Sequence, residues 1–266
     1  MPGSVGCGAP GGACWARTSR AVWRPWARAS PRSAFGDEVY GDNLGRKGGF
    51  GEFALAPESV LACKPAGLSF VQASTIPQAG AIAVQGTAGA GPGTRVLING
   101  GGGGTGTFAI QLAKQLGAHV TAVDNAGKLA HMRALGADEV LDHRREDFTR
   151  HGPYDLVLDL VASRSVVDCR RALAPAGRYH CVGGPVSTVL GVLLAGAVVG
   201  RTSGRRIGVL VVKPGPAYFE PLAQRCVDGT VTIHVARSYG LAEVADALAE
   251  VGEGRALGKV VVEVAR

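Results

Sequence analysis

Asn99 is followed by five consecutive glycines, a threonine and a further glycine, so that Gly101, Gly103 and Gly106 satisfy the spacing G-x-G-x-x-G. Glycines at that spacing let a backbone turn sharply and approach a pyrophosphate, whose charge then rests against the N-terminus of the following helix. Asn99, Gly101, Gly103, Gly104, Thr105 and Gly106 are therefore candidate residues for holding a dinucleotide. Asp124 stands 23 residues beyond Gly101, where an acid can accept hydrogen bonds from ribose hydroxyls and repel a 2′-phosphate, which favours NAD over NADP. Lys128, four residues on, works the other way by partly neutralising a phosphate. Aspartate also caps helices well, so a helix N-cap is the competing role for Asp124. Val182 and Gly183, at the end of a later strand-like run, complete the candidate cofactor-binding set. No general acid stands out. His143, His151 and His180 are candidate proton donors, with solvated or core histidines as the competing reading.

The elements around these residues alternate. Residues 95–99 are a short apolar, β-branched run that stops at glycines, as a buried parallel strand does. Residues 107–116 place Phe108, Ile110, Leu112, Ala113 and Leu116 at helical spacing and end on Gly117. Strands are expected next at 119–123, 155–161, 178–182, 207–212 and 231–235, and helices at 128–135, 164–173 and 218–227. Repeated strand–helix–strand units imply a parallel sheet with helices on both faces. The glycine motif lies between the first of these strands and its helix, which is the context that the phosphate chemistry requires.

Composition narrows the classes. In 266 residues, apolar side chains make up 46% and charged ones 18%, which provides for a sizeable core and excludes global disorder. The apolar run 189–200 has 12 residues, too short to span a bilayer, and is expected to be a buried helix. The net charge is +7, but five arginines within residues 1–34 supply that excess and leave +2 for the rest, so no nucleic-acid footprint is expected. Six cysteines are scattered without a CxxC pair or a neighbouring histidine, which reads as reduced, cytoplasmic usage.

Residues 1–34 contrast with the rest: they hold all three tryptophans, carry no acidic residue and show neither a helical nor a strand period. They lack the continuous apolar stretch of a secretory signal and the amphipathic pattern of a transit peptide.

An ordered series of segments resembles the medium-chain dehydrogenase/reductase superfamily in its zinc-free quinone-oxidoreductase branch. The series is GDEVYG (36–41), GGFGEF (48–53), KPAGLS (64–69), VLING (96–100), LGAD (135–138), YDLVLD (154–159) and GKVV (258–261). The resemblance implies an α/β fold, a Rossmann doubly wound parallel sheet with a partial GroES-like β domain. It implies a Rossmann part at 67–234 and a GroES-like part made of 35–66 plus 235–266. It further implies NAD(P)H-dependent, zinc-independent hydride transfer to a quinone, enone or related carbonyl, a small-molecule substrate, and a homodimer joined through the strand edge at 207–212. Family habit leans to NADP(H), whereas Asp124 leans to NAD(H). The alternatives are a catalytically impaired nucleotide-binding relative and an alcohol dehydrogenase. Residues 75–85, where the last catalytic zinc ligand of zinc-dependent relatives would fall, contain no Cys, His, Asp or Glu. Read one base out of frame, residues 18–21 can encode Asp-Val-Ala-Gly and residues 23–33 a further family-like stretch, with both Trp23 and Trp26 falling on family valines. Residues 2–34 are accordingly read as out-of-frame translation, with the frame restored near Phe35, and are expected to be disordered or loosely draped.

Overall fold

A computed structural model describes residues 16–18, 36–44 and 50–264. In chain order its strands and helices are β1 (Ala16–Thr18), β2 (Val39–Gly41), β3 (Leu61–Cys63), α1 (Phe70–Ser74), α2 (Pro77–Gly86), β4 (Arg95–Asn99), α3 (Gly106–Gln115), β5 (His119–Asp124), α4 (Leu129–Ala134), β6 (Glu139–Asp142), β7 (Tyr154–Asp159), α5 (Val166–Ala172), β8 (Leu173–Cys181), α6 (Val186–Ser203), β9 (Arg206–Val209), α7 (Glu220–Val227), β10 (Val235–Gly240), α8 (Val244–Gly252) and β11 (Lys259–Glu263).

The central sheet has six parallel strands in the order β6-β5-β4-β7-β8-β9. The order in which strands are added reverses between β4 and β7, the point at which a doubly wound sheet opens a crevice at its strand ends. Alternation along each strand feeds two cores. Val96 and Ile98 of β4, with Leu156 and Leu158 of β7, pack into the layer holding α2, α3, α4 and α7. Leu97, Val157, Tyr179 and Cys181 point the other way, toward residues of α5 and α6. Burial on both faces explains why these strands read as continuous apolar runs.

The remaining strands make two small sheets, β1-β11-β10, which is parallel, and β2-β3, which is antiparallel. Helix α1 packs against β2 and β11 and so ties both small sheets to the body. Ser69 caps it, exchanging hydrogen bonds with Gln72 in both directions.

Four local expectations differ from the structure. Residues 231–235 are not a strand; pairing with β11 begins at Val235, and the segment before it crosses the glycine loop's helix through Gln111, whose side chain bonds to both main-chain groups of Thr232. Strand β6 was not foreseen, because two of its four residues are acidic. The apolar run 189–200 is helical, as part of α6, but it is not buried throughout: Leu190, Leu193 and Leu194 are exposed, the last by 75%. Ala16–Thr18, in a stretch with no strand period, forms β1 beside β11. The other expectations for residues 1–34, including those on the three tryptophans, lie outside the described residues.

Candidate functional site

The glycine loop leaves β4 at Asn99 and enters α3 at Gly106. Gly100, at φ +89°, makes the sharp turn, and the N–H groups of Gly100 and Gly101 both donate to the Val123 carbonyl of β5 at 2.9 and 3.0 Å. The individual glycines meet different surroundings. A Cβ on Gly106 would run into the Gly100 carbonyl oxygen, and one on Gly101 would lie 2.8 Å from the Met132 sulfur. These two positions need glycine for packing of loop, helix and sheet. A Cβ on Gly103, by contrast, would meet only the Gly100 oxygen at 3.4 Å, so this glycine faces open space. That is the arrangement a pyrophosphate cradle requires: closed behind, open in front.

Two lysines frame the loop. Lys128 is 6% exposed and lies across Gly102, with its Nζ 3.3 Å from the Asp124 carboxylate. Lys259, at the start of β11, is 2% exposed and its aliphatic stem covers Gly104. Gly258 reaches the same place, donating its N–H to the Gly102 carbonyl at 2.9 Å and bridging to Gly103. An open glycine turn with the Lys128 ammonium group beside it is chemically matched to a phosphate, so the residues present fit a dinucleotide.

Asp124 ends β5, with one carboxylate oxygen accepting the Gly102 N–H at 3.0 Å and the other the Asn125 N–H at 2.8 Å. It is not the cap of the short helical turn that follows; Asn125 is, accepting the Gly127 N–H. Asn99, Gly101–Gly106, Asp124 and Lys128 thus gather round one loop. Val182 and Gly183 follow β8, two strands away across β7. Val182 is fixed there by its N–H to the Asp159 carbonyl at 2.9 Å.

The three candidate histidines do not converge. His143 is exposed just after β6 and donates its main-chain N–H to the Asp124 carbonyl at 3.0 Å. His151 faces Glu146 at 3.5 Å. His180 sits in β8, where burial holds its imidazole below the usual histidine range against a raising hydrogen bond with Gly86, and its Nδ1 has no hydrogen-bond partner. Lys259 and Asp159 were not singled out as site residues. Both lie in quoted motifs, GKVV and YDLVLD, but only the fold carries the first back across the chain to residue 104. Among the described residues no group of three or more His, Cys, Asp or Glu side chains is placed to hold a metal ion.

Comparison with known proteins agrees with this geometry. The family described as "Zinc-binding dehydrogenase" matches residues 135–262. The chain is 33% identical over 241 residues to a 2-methylene-furan-3-one reductase of Solanum lycopersicum, covering 85% of this chain and 57% of that protein. It is 30% identical over 257 residues to a mitochondrial NAD(P)H oxidoreductase of Mus musculus, covering 86% and 65%. The chain therefore spans between half and two thirds of the length of these two relatives. The solved quinone oxidoreductase of Coxiella burnetii superposes with a TM-score of 0.76 at 29% identity, covering 88% of this chain and 74% of that one. Strand order, glycine loop and these relatives agree in one respect: the chain is similar to quinone-oxidoreductase-like proteins of the medium-chain dehydrogenase/reductase superfamily.

Proposed function

We propose that the protein is an NAD(P)H-dependent, zinc-independent oxidoreductase that reduces a quinone, an enone or a related small carbonyl compound. The observation that carries this reading is the glycine loop, sealed at Gly101 and Gly106 and open at Gly103 beside Lys128 and Lys259. The nicotinamide, when bound, supplies the hydride. The open face of the loop at Gly103, the start of α3 and Lys128 hold its diphosphate, and Asp124 faces the adenosine ribose. The adenosine half then lies over β5, which directs the nicotinamide half across β4 to the ends of β7 and β8, where Val182 and Gly183 are its contacts. No side chain is assigned to proton transfer, since hydride addition to a conjugated acceptor leaves a stabilised enolate that solvent can protonate.

The division into a Rossmann part at 67–234 and a GroES-like part at 35–66 plus 235–266 belongs to the same proposal. Zinc independence rests on residues 75–85, which contain no Cys, His, Asp or Glu. A homodimer paired along the β9 edge is proposed because β9 ends the sheet and Val211 beyond it is 83% exposed. Among the described residues no helix is long and apolar enough to cross a membrane, and Cys63, Cys169, Cys181 and Cys226 are free thiols, in keeping with a reducing, cytoplasm-like setting.

Nucleotide binding without turnover is the second reading, favoured by Leu44, Phe53 and Leu55, which are 64%, 75% and 67% exposed where a substrate wall would need them packed. Titration with NADH and NADPH, followed by turnover over a panel of quinones and enones, separates the two. Binding with turnover supports the reductase, binding alone the second reading, and no binding overturns both.

A further inference from the structure

Asp159 ends β7 and is fully buried. Its Oδ1 accepts hydrogen bonds from Asn99 Nδ2 at 2.8 Å, Val161 N–H at 3.0 Å and Ala162 N–H at 2.7 Å, and its Oδ2 accepts the Tyr179 hydroxyl at 2.7 Å. These donors come from the ends of β4 and β8 and from the turn after β7. The same three places lie close together. A Cβ on Gly100 would lie 3.2 Å from Leu160 and Val161, and one on Gly184 would lie 2.8 Å from the Ala162 Cβ. Ala162 itself holds φ +52°, a left-handed conformation that costs a non-glycine residue energy and persists only where its surroundings impose it. Burying a carboxylate is expensive unless its lone pairs are met, so four donors on one buried acid form an arrangement that resists piecemeal change.

We propose that Asp159 is a positioning residue that locks the glycine loop of β4 to the turns after β7 and β8, and so sets where the nicotinamide half of the cofactor lies relative to its diphosphate. The proposal rests on the nucleotide-binding reading above. Asp159 touches no part of the cofactor; it acts through Asn99, which leads into Gly100, and through Tyr179 and the 160–162 turn, which flank Val182 and Gly183. Loosening it leaves the diphosphate cradle intact, because the links from Gly100 and Gly101 to Val123 and the packing at Gly106 do not involve the carboxylate.

The test compares two ligands that differ only by the nicotinamide, ADP-ribose and NADH, by calorimetric titration of the wild-type chain and of Tyr179→Phe and Asp159→Asn. Tyr179→Phe keeps the ring and removes one donor, whereas Asp159→Asn keeps the shape and removes the charge, so neither opens a cavity. In the wild type NADH is expected to bind more tightly than ADP-ribose. In both variants that advantage is expected to shrink by about tenfold, the worth of one charge-assisted hydrogen bond, while ADP-ribose affinity stays within about twofold. Parallel weakening of both ligands, or no change in either, overturns the assignment and leaves Asp159 a packing residue. Wild-type protein that binds neither ligand overturns the nucleotide reading and this assignment with it.

Discussion

A methyl group added at Gly106 collides with a main-chain oxygen that has nowhere to move, whereas the same group at Gly103 projects into open space. Gly106→Ala is therefore expected to cost roughly 1–3 kcal/mol of stability, read as a lowered denaturation midpoint, through overpacking. Gly103→Val is expected to leave that midpoint nearly unchanged while weakening NADPH binding by about tenfold or more, because its side chain takes the phosphate's place. The opposite ranking, with stability lost at Gly103 and binding lost alone at Gly106, would reverse the roles given to these glycines. Asp124 offers a second contrast. Its carboxylate holds Lys128 and the Gly102 N–H, so Asp124→Ser removes a repulsion toward a 2′-phosphate and releases an ammonium group beside it. The ratio of NADH to NADPH affinity is expected to fall.

The elements bear the same logic at lower resolution. Removing the Ser69 side chain should destabilise α1 by about 1 kcal/mol, a loss that thermal melting of Ser69→Ala would register, since its hydroxyl accepts the Gln72 N–H at the helix start. Val211→Lys places a charge beside the open β9 edge and is expected to shift sedimentation from dimer toward monomer without lowering the melting temperature, because residue 211 packs against little. The strands flanking the glycine loop were legible in sequence because both of their faces are buried, so that composition alone marks them. Strand β6 was not, since its outer residues are Glu139 and Asp142 and its pairing is set by β5 rather than by its own pattern. In α6, hydrophobicity fixed helix formation but not burial; a run of valine, leucine, glycine and alanine reads the same whether or not something covers it. The glycine loop itself was readable to the residue, while Lys259 and Asp159 were not, because their place beside it depends on contacts about 60 to 155 residues away along the chain.

Across the molecule, pH acts through two groups of side chains. His131 of α4 lies against His234 with ring centroids 4.3 Å apart and the rings tilted by 47°, and burial followed by the nearby His234 hold its imidazole below 6.5. A histidine depressed by folding takes up its proton more readily when unfolded. Its contribution is present in full above about 6.5 and is lost as pH falls below that value. Asp138 and Asp147 are held below 3.8: burial alone would raise them, but the Lys114 side chain and the Val120 N–H outweigh it for the first, and Thr149 and Arg164 for the second. Their contribution is present above 3.8 and disappears in stronger acid. Melting temperature should therefore decline in two stages on acidification; His180, likewise depressed by burial, shares the first with His131, so His131→Gln should remove part of the first while sparing the second. The bridge between Gly103 and Gly258 has a consequence for synthesis. The loop that begins at Asn99 is complete only when residues 258 and 259 arrive against it, so a nascent chain that has already formed β4, β5 and α3 still lacks one wall of its cradle until its last strand clears the ribosome. Nucleotide offered to stalled chains should accordingly be captured only by those long enough to expose β11, which makes cofactor capture a late event in the life of each molecule.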